Sequence, residues 1–197
     1  MQYSEEKLKQ VIRNYFSNKL YLVQDIPKYH LDIFYGLCYK CNIIDQPDID
    51  RNYKHATELI FILNPEKGVL PLSFIHEKNE EKKLLNQTKT NAHYALILTL
   101  SLIDRIAAFS WNERKLSENN IEVTECKYTD VPDYAKGHLN AFRPYFDIQN
   151  VVLMNSEDLM ESKMDWINDV IKTDNQYQPT FFDLLFGSYP FYAAYNL

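Results

Sequence analysis

Glycine is scarce in this chain, four residues in 197. Tight β-turns and phosphate-cradling loops both use glycine's freedom at positive φ, so the shortage argues against sheet-rich and phosphate-loop folds. Cysteine is scarcer, with three residues. An odd, small number is no disulfide framework and fits a reducing compartment. The catalytic signatures H-E-x-x-H and G-x-S-x-G are missing, as are the paired E-x-x-H steps of di-iron bundles. No long apolar run occurs either. The most apolar stretch, Ala92–Phe109, is interrupted by His93, Asp104 and Arg105, too polar and too short for a membrane span. The opening residues MQYSEEKLKQ are polar, with no apolar segment after them, which predicts no secretory signal. These absences predict a cytoplasmic protein without enzymatic activity, cofactor, metal or membrane association.

What is present is an ordinary globular composition, 46% apolar and 24% charged, sized for one domain over residues 1–197. The charge is unevenly placed. Residues 1–143 carry 19 acidic and 19 basic side chains, while residues 144–197 carry eight acidic ones against Lys163 and Lys172. The net −6 therefore sits in the last quarter. Such a field repels nucleic acid and attracts basic protein surfaces.

Helical spacing recurs along the chain. Ser4 is placed to cap a helix through Leu8, Val11, Ile12, Tyr15 and Phe16. A second helix follows Pro27, with Leu31, Phe34, Tyr35, Cys38 and Cys41 as its stripe. A third spans Ile49, Tyr53, Ala56, Ile60 and Leu63. Residues 74–91 read as an exposed helix or a surface connection. From Thr90 to Trp111 apolar residues lie nearly all round, which predicts the central buried helix. Further helices are expected over Asp133–Phe146 and, capped by Ser156, over Glu157–Lys172. Ile121–Cys126 alternates like a strand, and Val151–Met154 is its one plausible companion. The sequence thus predicts an all-α fold, an irregular bundle of about seven or eight helices with at most one minor two-stranded element.

Three constellations invite chemistry. Cys38 and Cys41 form a single C-x-x-C on an apolar stripe, better read as core thiols than as half of a zinc site. Thr90, His93, Ser101 and Asp104 share a face of the expected central helix. His93 and Asp104 would lie about 16 Å apart along its axis, too far for a triad, and Asp104 is expected to pair with an arginine. Arg51 and His55, in Arg51-Asn52-Tyr53-Lys54-His55, resemble the Arg/His motif of the HEPN helical ribonucleases. Three residues intervene here where that motif has four to six, and a solvated helix face is the better account of them.

The clearest pattern is the helix after Ser156. Leu159, Met160, Met164, Trp166, Ile167, Val170 and Ile171 fill one arc, and Asp158, Glu161, Asp165 and Asp169 the other. Like charges one turn apart weaken a helix, so an aligned acidic stripe suggests a basic partner. Eight aromatics crowd residues 177–195; at least half are expected to dock on the core, leaving Tyr189, Tyr192 and Tyr195 at a rim. The expected partner-binding surface is therefore Asp158, Glu161, Asp165 and Asp169 flanked by those tyrosines. Small, acidic, motif-poor cytosolic proteins are similar in type to bacterial immunity proteins, which neutralise a cognate toxin by binding it. That likeness implies a protein partner with a basic surface, such as a toxin domain. A helical adaptor holding a peptide in a groove is the alternative.

Overall fold

The computed structural model describes residues 4–17, 27–41, 56–70, 78–87, 89, 92–118, 120–161 and 178–187. In chain order its elements are α1 (Glu5–Ser17), α2 (Lys28–Cys41), β1 (Ala56–Asn64), β2 (Gly68–Leu70), α3 (Lys78–Gln87), β3 (Ala92–Ser101), β4 (Ile106–Ser117), β5 (Asn120–Cys126), a 3₁₀ turn (Tyr128–Asp130), α4 (Asp133–Ile148), β6 (Val152–Asn155), α5 (Ser156–Glu161) and α6 (Phe181–Phe186). The strands form one six-stranded sheet in the order β2-β1-β3-β4-β5, antiparallel throughout, with β6 added parallel to β4.

The expected all-α bundle is therefore overturned: the fold is mixed α/β around a sheet. The expected central helix is the β3–β4 hairpin, paired from Ala92 opposite Lys115 to Leu100 opposite Ala107. The second half of the expected third helix is β1, whose Ala56–Leu63 pair with Ser101–Tyr94; residues 47–55 lie outside the described residues. The physical reason is that this sheet is covered on both faces. Leu59, Phe61, Leu63, Leu96, Leu98, Leu100, Phe109 and Trp111 face Ile33, Phe34 and Leu37 of α2 and Leu139, Phe142 and Phe146 of α4. On the other face Ala56, Ile106 and Ala108 meet Leu8, Ile12 and Phe16 of α1, Leu159 of α5 and Phe181–Phe186 of α6. Ile62 and Ala95 meet Leu84 of α3. A strand buried on both faces loses its two-residue alternation and becomes an apolar run. By periodicity alone such a run reads as a buried helix.

Some local signals agree with the structure and some are corrected: Ser156, the expected cap, lies within α5, and Asn155 Oδ1 accepts the Glu157 N–H at 3.3 Å in its place. Ser4 Oγ accepts the Lys7 N–H at 3.3 Å, the N-terminal cap of α1. In α2 the buried residues are His30, Ile33, Phe34, Leu37 and Cys38, so the stripe is rotated from the expected one and leaves Tyr35 exposed. Gly36 lets α4 approach closely, because a Cβ there would meet the Tyr145 ring at 2.6 Å. The two expected strands exist, but they do not pair with each other. β6 runs beside Ile106–Phe109 and β5 beside Trp111–Ser117, so they share one edge of β4 in succession. Of the aromatic tail, Phe181, Phe182 and Phe186 are buried in α6. That helix is closed by a Thr180–Asp183 capping box and by Gly187 at φ 72°. No helix among the described residues is long and apolar enough to cross a membrane.

Candidate functional site

Beyond Trp111 the sheet leaves its helical cover. β4 continues to Ser117, turns through Glu118 at φ 50°, and returns as β5. Five of the seven β5 residues are exposed, Asn120 and Glu122–Glu125. The strand ends beside α5, which follows directly from β6. Leu159 turns inward onto the α1–α6 layer, and this fixes the rotation of α5. Asp158 and Glu161 consequently point to solvent.

Between the end of β5 and α5 lies a groove of about 360 Å³, lined by Glu125, Cys126, Lys127, Glu157, Met160 and Glu161. Its floor includes Met160, 40% exposed, and three of its lining groups are carboxylates. Glu157 is committed in part: its Oε1 accepts the Tyr128 N–H at 2.6 Å, tying α5 to the turn after β5. Glu125 and Glu161 form no ion pair among the described residues. Burial pushes the Cys126 thiol up from its ordinary value, and the charges of Glu113, Asp130 and Glu125 push it further. A thiol held protonated is a poor nucleophile and a poor metal ligand at neutral pH.

Of the expected surface, the structure thus places Asp158 and Glu161 together on one exposed helix face; Asp165, Asp169, Tyr189, Tyr192 and Tyr195 lie outside the described residues. Sequence reasoning missed Glu125, Glu157 and Lys127. The alternation of Ile121–Cys126 did signal that Glu125 leaves the strand on the same side as Ile121 and Val123. Nothing in the sequence tied that strand to α5.

The other constellations prove structural. His30 is buried between α2 and the sheet. A carbonyl can only accept, so its Nε2–H donates to the Ser101 carbonyl (3.1 Å) and its Nδ1 accepts the Thr57 hydroxyl (2.8 Å). The Ser101 hydroxyl donates to the Leu185 carbonyl at 2.6 Å, which fastens α6 to the hairpin. The expected face of His93, Ser101 and Asp104 is dissolved: the first two lie on β3 and Asp104 in the following turn, where its carboxylate accepts the Arg105 N–H at 2.7 Å. His93 Nδ1 accepts from the Asn64 amide at 3.3 Å, leaving a buried Nε2–H without a partner among the described residues. Near it Arg114 grips the buried Glu81 through two hydrogen bonds of 2.7 and 2.9 Å. Burial lowers both histidines to about 4, so neither serves as a base near pH 7. Cys38 is buried and Cys41 half-buried, and burial pushes Cys41 up to about 11. Arg51, His55 and Thr90 lie outside the described residues. Among the described residues no group of three or more His, Cys, Asp or Glu side chains is placed to hold a metal ion.

Chemically, the β5–α5 groove offers an apolar floor and carboxylate walls, the complement of a lysine or arginine side chain, whose stem is apolar and whose head is cationic. Compared with known protein families, curated proteins and solved structures, the chain matches none.

Proposed function

We propose that this chain is a cytoplasmic, non-enzymatic binding protein that neutralises a basic protein partner, in the manner of a bacterial immunity protein and its toxin. The observation that carries the reading is the convergence of Glu125, Glu157 and Glu161, from two elements distant in sequence, around one exposed groove whose only lining cation among the described residues is Lys127, with Asp158 exposed on the same helix. Carboxylates gathered in this way steer encounter with a cationic surface and occupy the patch that a basic toxin uses on its own target. The excess of negative charge in residues 144–197 works in the same direction.

The test is co-expression. The product of the gene adjacent to this one is produced alone and together with this chain, and growth is followed. Growth arrest by the neighbour alone, relieved by this chain through a stoichiometric complex, supports the reading. A harmless neighbour, or relief without a complex, overturns it.

A further inference from the structure

The binding reading says that a basic surface meets the acidic groove; the sheet specifies how. Most of this sheet is sealed. Its β2 edge is three residues long, and the first half of β4 is covered by β6. β5 differs. Its seven residues pair with Trp111–Ser117 of β4 in unbroken register, with no bulge. No other strand among the described residues pairs with it. Natural sheets protect such edges by shortness, bulges, proline or charged side chains. β5 has no bulge, proline or lysine; its guarding charges are Glu122 and Glu125, which repel an acidic strand and admit a basic one.

The register divides its side chains between two faces. Ile121, Val123 and Glu125 stand opposite Leu116, Arg114 and Asn112, while Glu122, Thr124 and Cys126 stand opposite Lys115, Glu113 and Trp111. On the first face Val123 is 50% exposed, and two residues further Glu125 opens into the groove with Met160 and Glu161. Apolar ground is thus followed, at the two-residue spacing of a strand, by a carboxylate pocket.

We propose that the free edge of β5 takes an extended segment of the basic partner as an added strand, with an apolar side chain over Val123 and, two residues on, a lysine or arginine in the groove of Glu125, Met160 and Glu161. Main-chain hydrogen bonds then supply affinity and the alternate side chains supply specificity, as in other strand additions. A second copy of this chain is a poor occupant, because it would bring its own Glu122 and Glu125 to the same acidic edge.

This proposal rests on the acidic-surface reading above, and its test separates the two. The probe is a fluorescent peptide matched in length to β5, with valine and, two residues on, lysine on one strand face and threonine at the alternate positions. Controls are the same peptide N-methylated at alternate residues along one edge and an analogue with glutamate in place of lysine. Binding is read by anisotropy at low and physiological salt, and amide exchange of β5 by mass spectrometry. The lysine peptide should bind, weaken with salt, and slow exchange across Asn120–Cys126. N-methylation should cost at least about tenfold in affinity, since several backbone hydrogen bonds are lost together. The exposed pair Glu125→Gln/Glu161→Gln should weaken it similarly. Equal binding of the N-methylated peptide, or unprotected β5 amides, overturns strand addition; the acidic-surface reading survives that result if Glu125→Gln/Glu161→Gln still weakens binding. Equal binding of the glutamate analogue overturns both. Absence of peptide binding overturns strand addition, as does a dimer that protects β5 without peptide.

Discussion

β4 is one strand with two environments. From Ile106 to Trp111 it is sandwiched, its odd residues under α2 and α4 and its even ones under α1, α5 and α6. From Asn112 to Ser117 it is half-covered or exposed and backs the open strand β5. The first half holds the fold; the second presents chemistry to the outside. Polar groups follow the same division. In the covered region His30 is locked between Thr57 and Ser101. At the ribbon Glu122 and Glu125 stand exposed, and Arg114 reaches back to the buried Glu81.

The sharpest way to break the covered region is acid. His30 and His93 titrate near 4 when folded and near 6.5 when unfolded. Between those values the unfolded chain binds more protons, so stability rises with pH in that window. Going down, it is intact above about pH 7, falls from about 6.5, and levels off below about 4 as far as these two groups are concerned. Each shift corresponds to about 3 kcal/mol at most. Urea unfolding followed from pH 7 to pH 4 should show this loss, and His30→Gln and His93→Gln should each flatten the slope even though each starts less stable. A profile unchanged by both substitutions would mean that neither ring is buried neutral.

The next effect compares the two halves of the sheet directly. Leu98 is fully buried at its centre, and Leu98→Ala should cost about 3 kcal/mol through lost burial and the cavity left behind. Val123, in β5, is 50% exposed, and Val123→Ala should stay within about 0.5 kcal/mol. Chemical denaturation of both variants checks the contrast; similar costs would mean that β5 is covered in solution.

The same contrast explains what could be read from the sequence. Ile121–Cys126 lies where one can see water from both faces, and its alternation was legible as a strand. Ala92–Trp111 lies where helices cover both faces, so Leu96, Leu98 and Leu100 and their neighbours Ala95 and Ile97 formed one apolar run that fits a buried helix as well as a strand. The turn at residues 102–105 was the missing signal. It contains no glycine, and it is held instead by Asp104 accepting the Arg105 N–H and by Ser101 Oγ accepting the Ile103 N–H at 3.2 Å. Glycine counting therefore misled: only the β1–β2 turn uses a glycine, Gly68 at φ 75°, while β3–β4 is closed by side-chain oxygens and β4–β5 turns through Glu118, a non-glycine residue at positive φ. Helices facing solvent on one side, α1 and α4, kept a clean stripe and were legible. Of the candidate site, Asp158 and Glu161 were legible because they lie on one helix. Glu125 was not, because its partners come from a strand-to-helix contact that only the sheet order creates.

The smallest expected effect on stability tests the site itself. Asp158 and Glu161 are exposed, and neither forms an ion pair among the described residues. Their removal leaves no buried group unsatisfied, and surface charge changes of this kind stay within about 0.5 kcal/mol. The double reversal Asp158→Lys/Glu161→Lys should therefore melt like the parent. Its encounter with a basic partner should nonetheless slow, because a rim charge acts on association through the long-range field and is felt most at low salt. Stopped-flow association at low and physiological salt should show parent and variant converging as salt rises, while the parent's own rate falls more steeply. A variant that melts early would place these carboxylates within the fold's own support. Equal rates at low salt would remove the α5 face from the encounter and leave Glu122 and Glu125 of the ribbon as the groups that steer it.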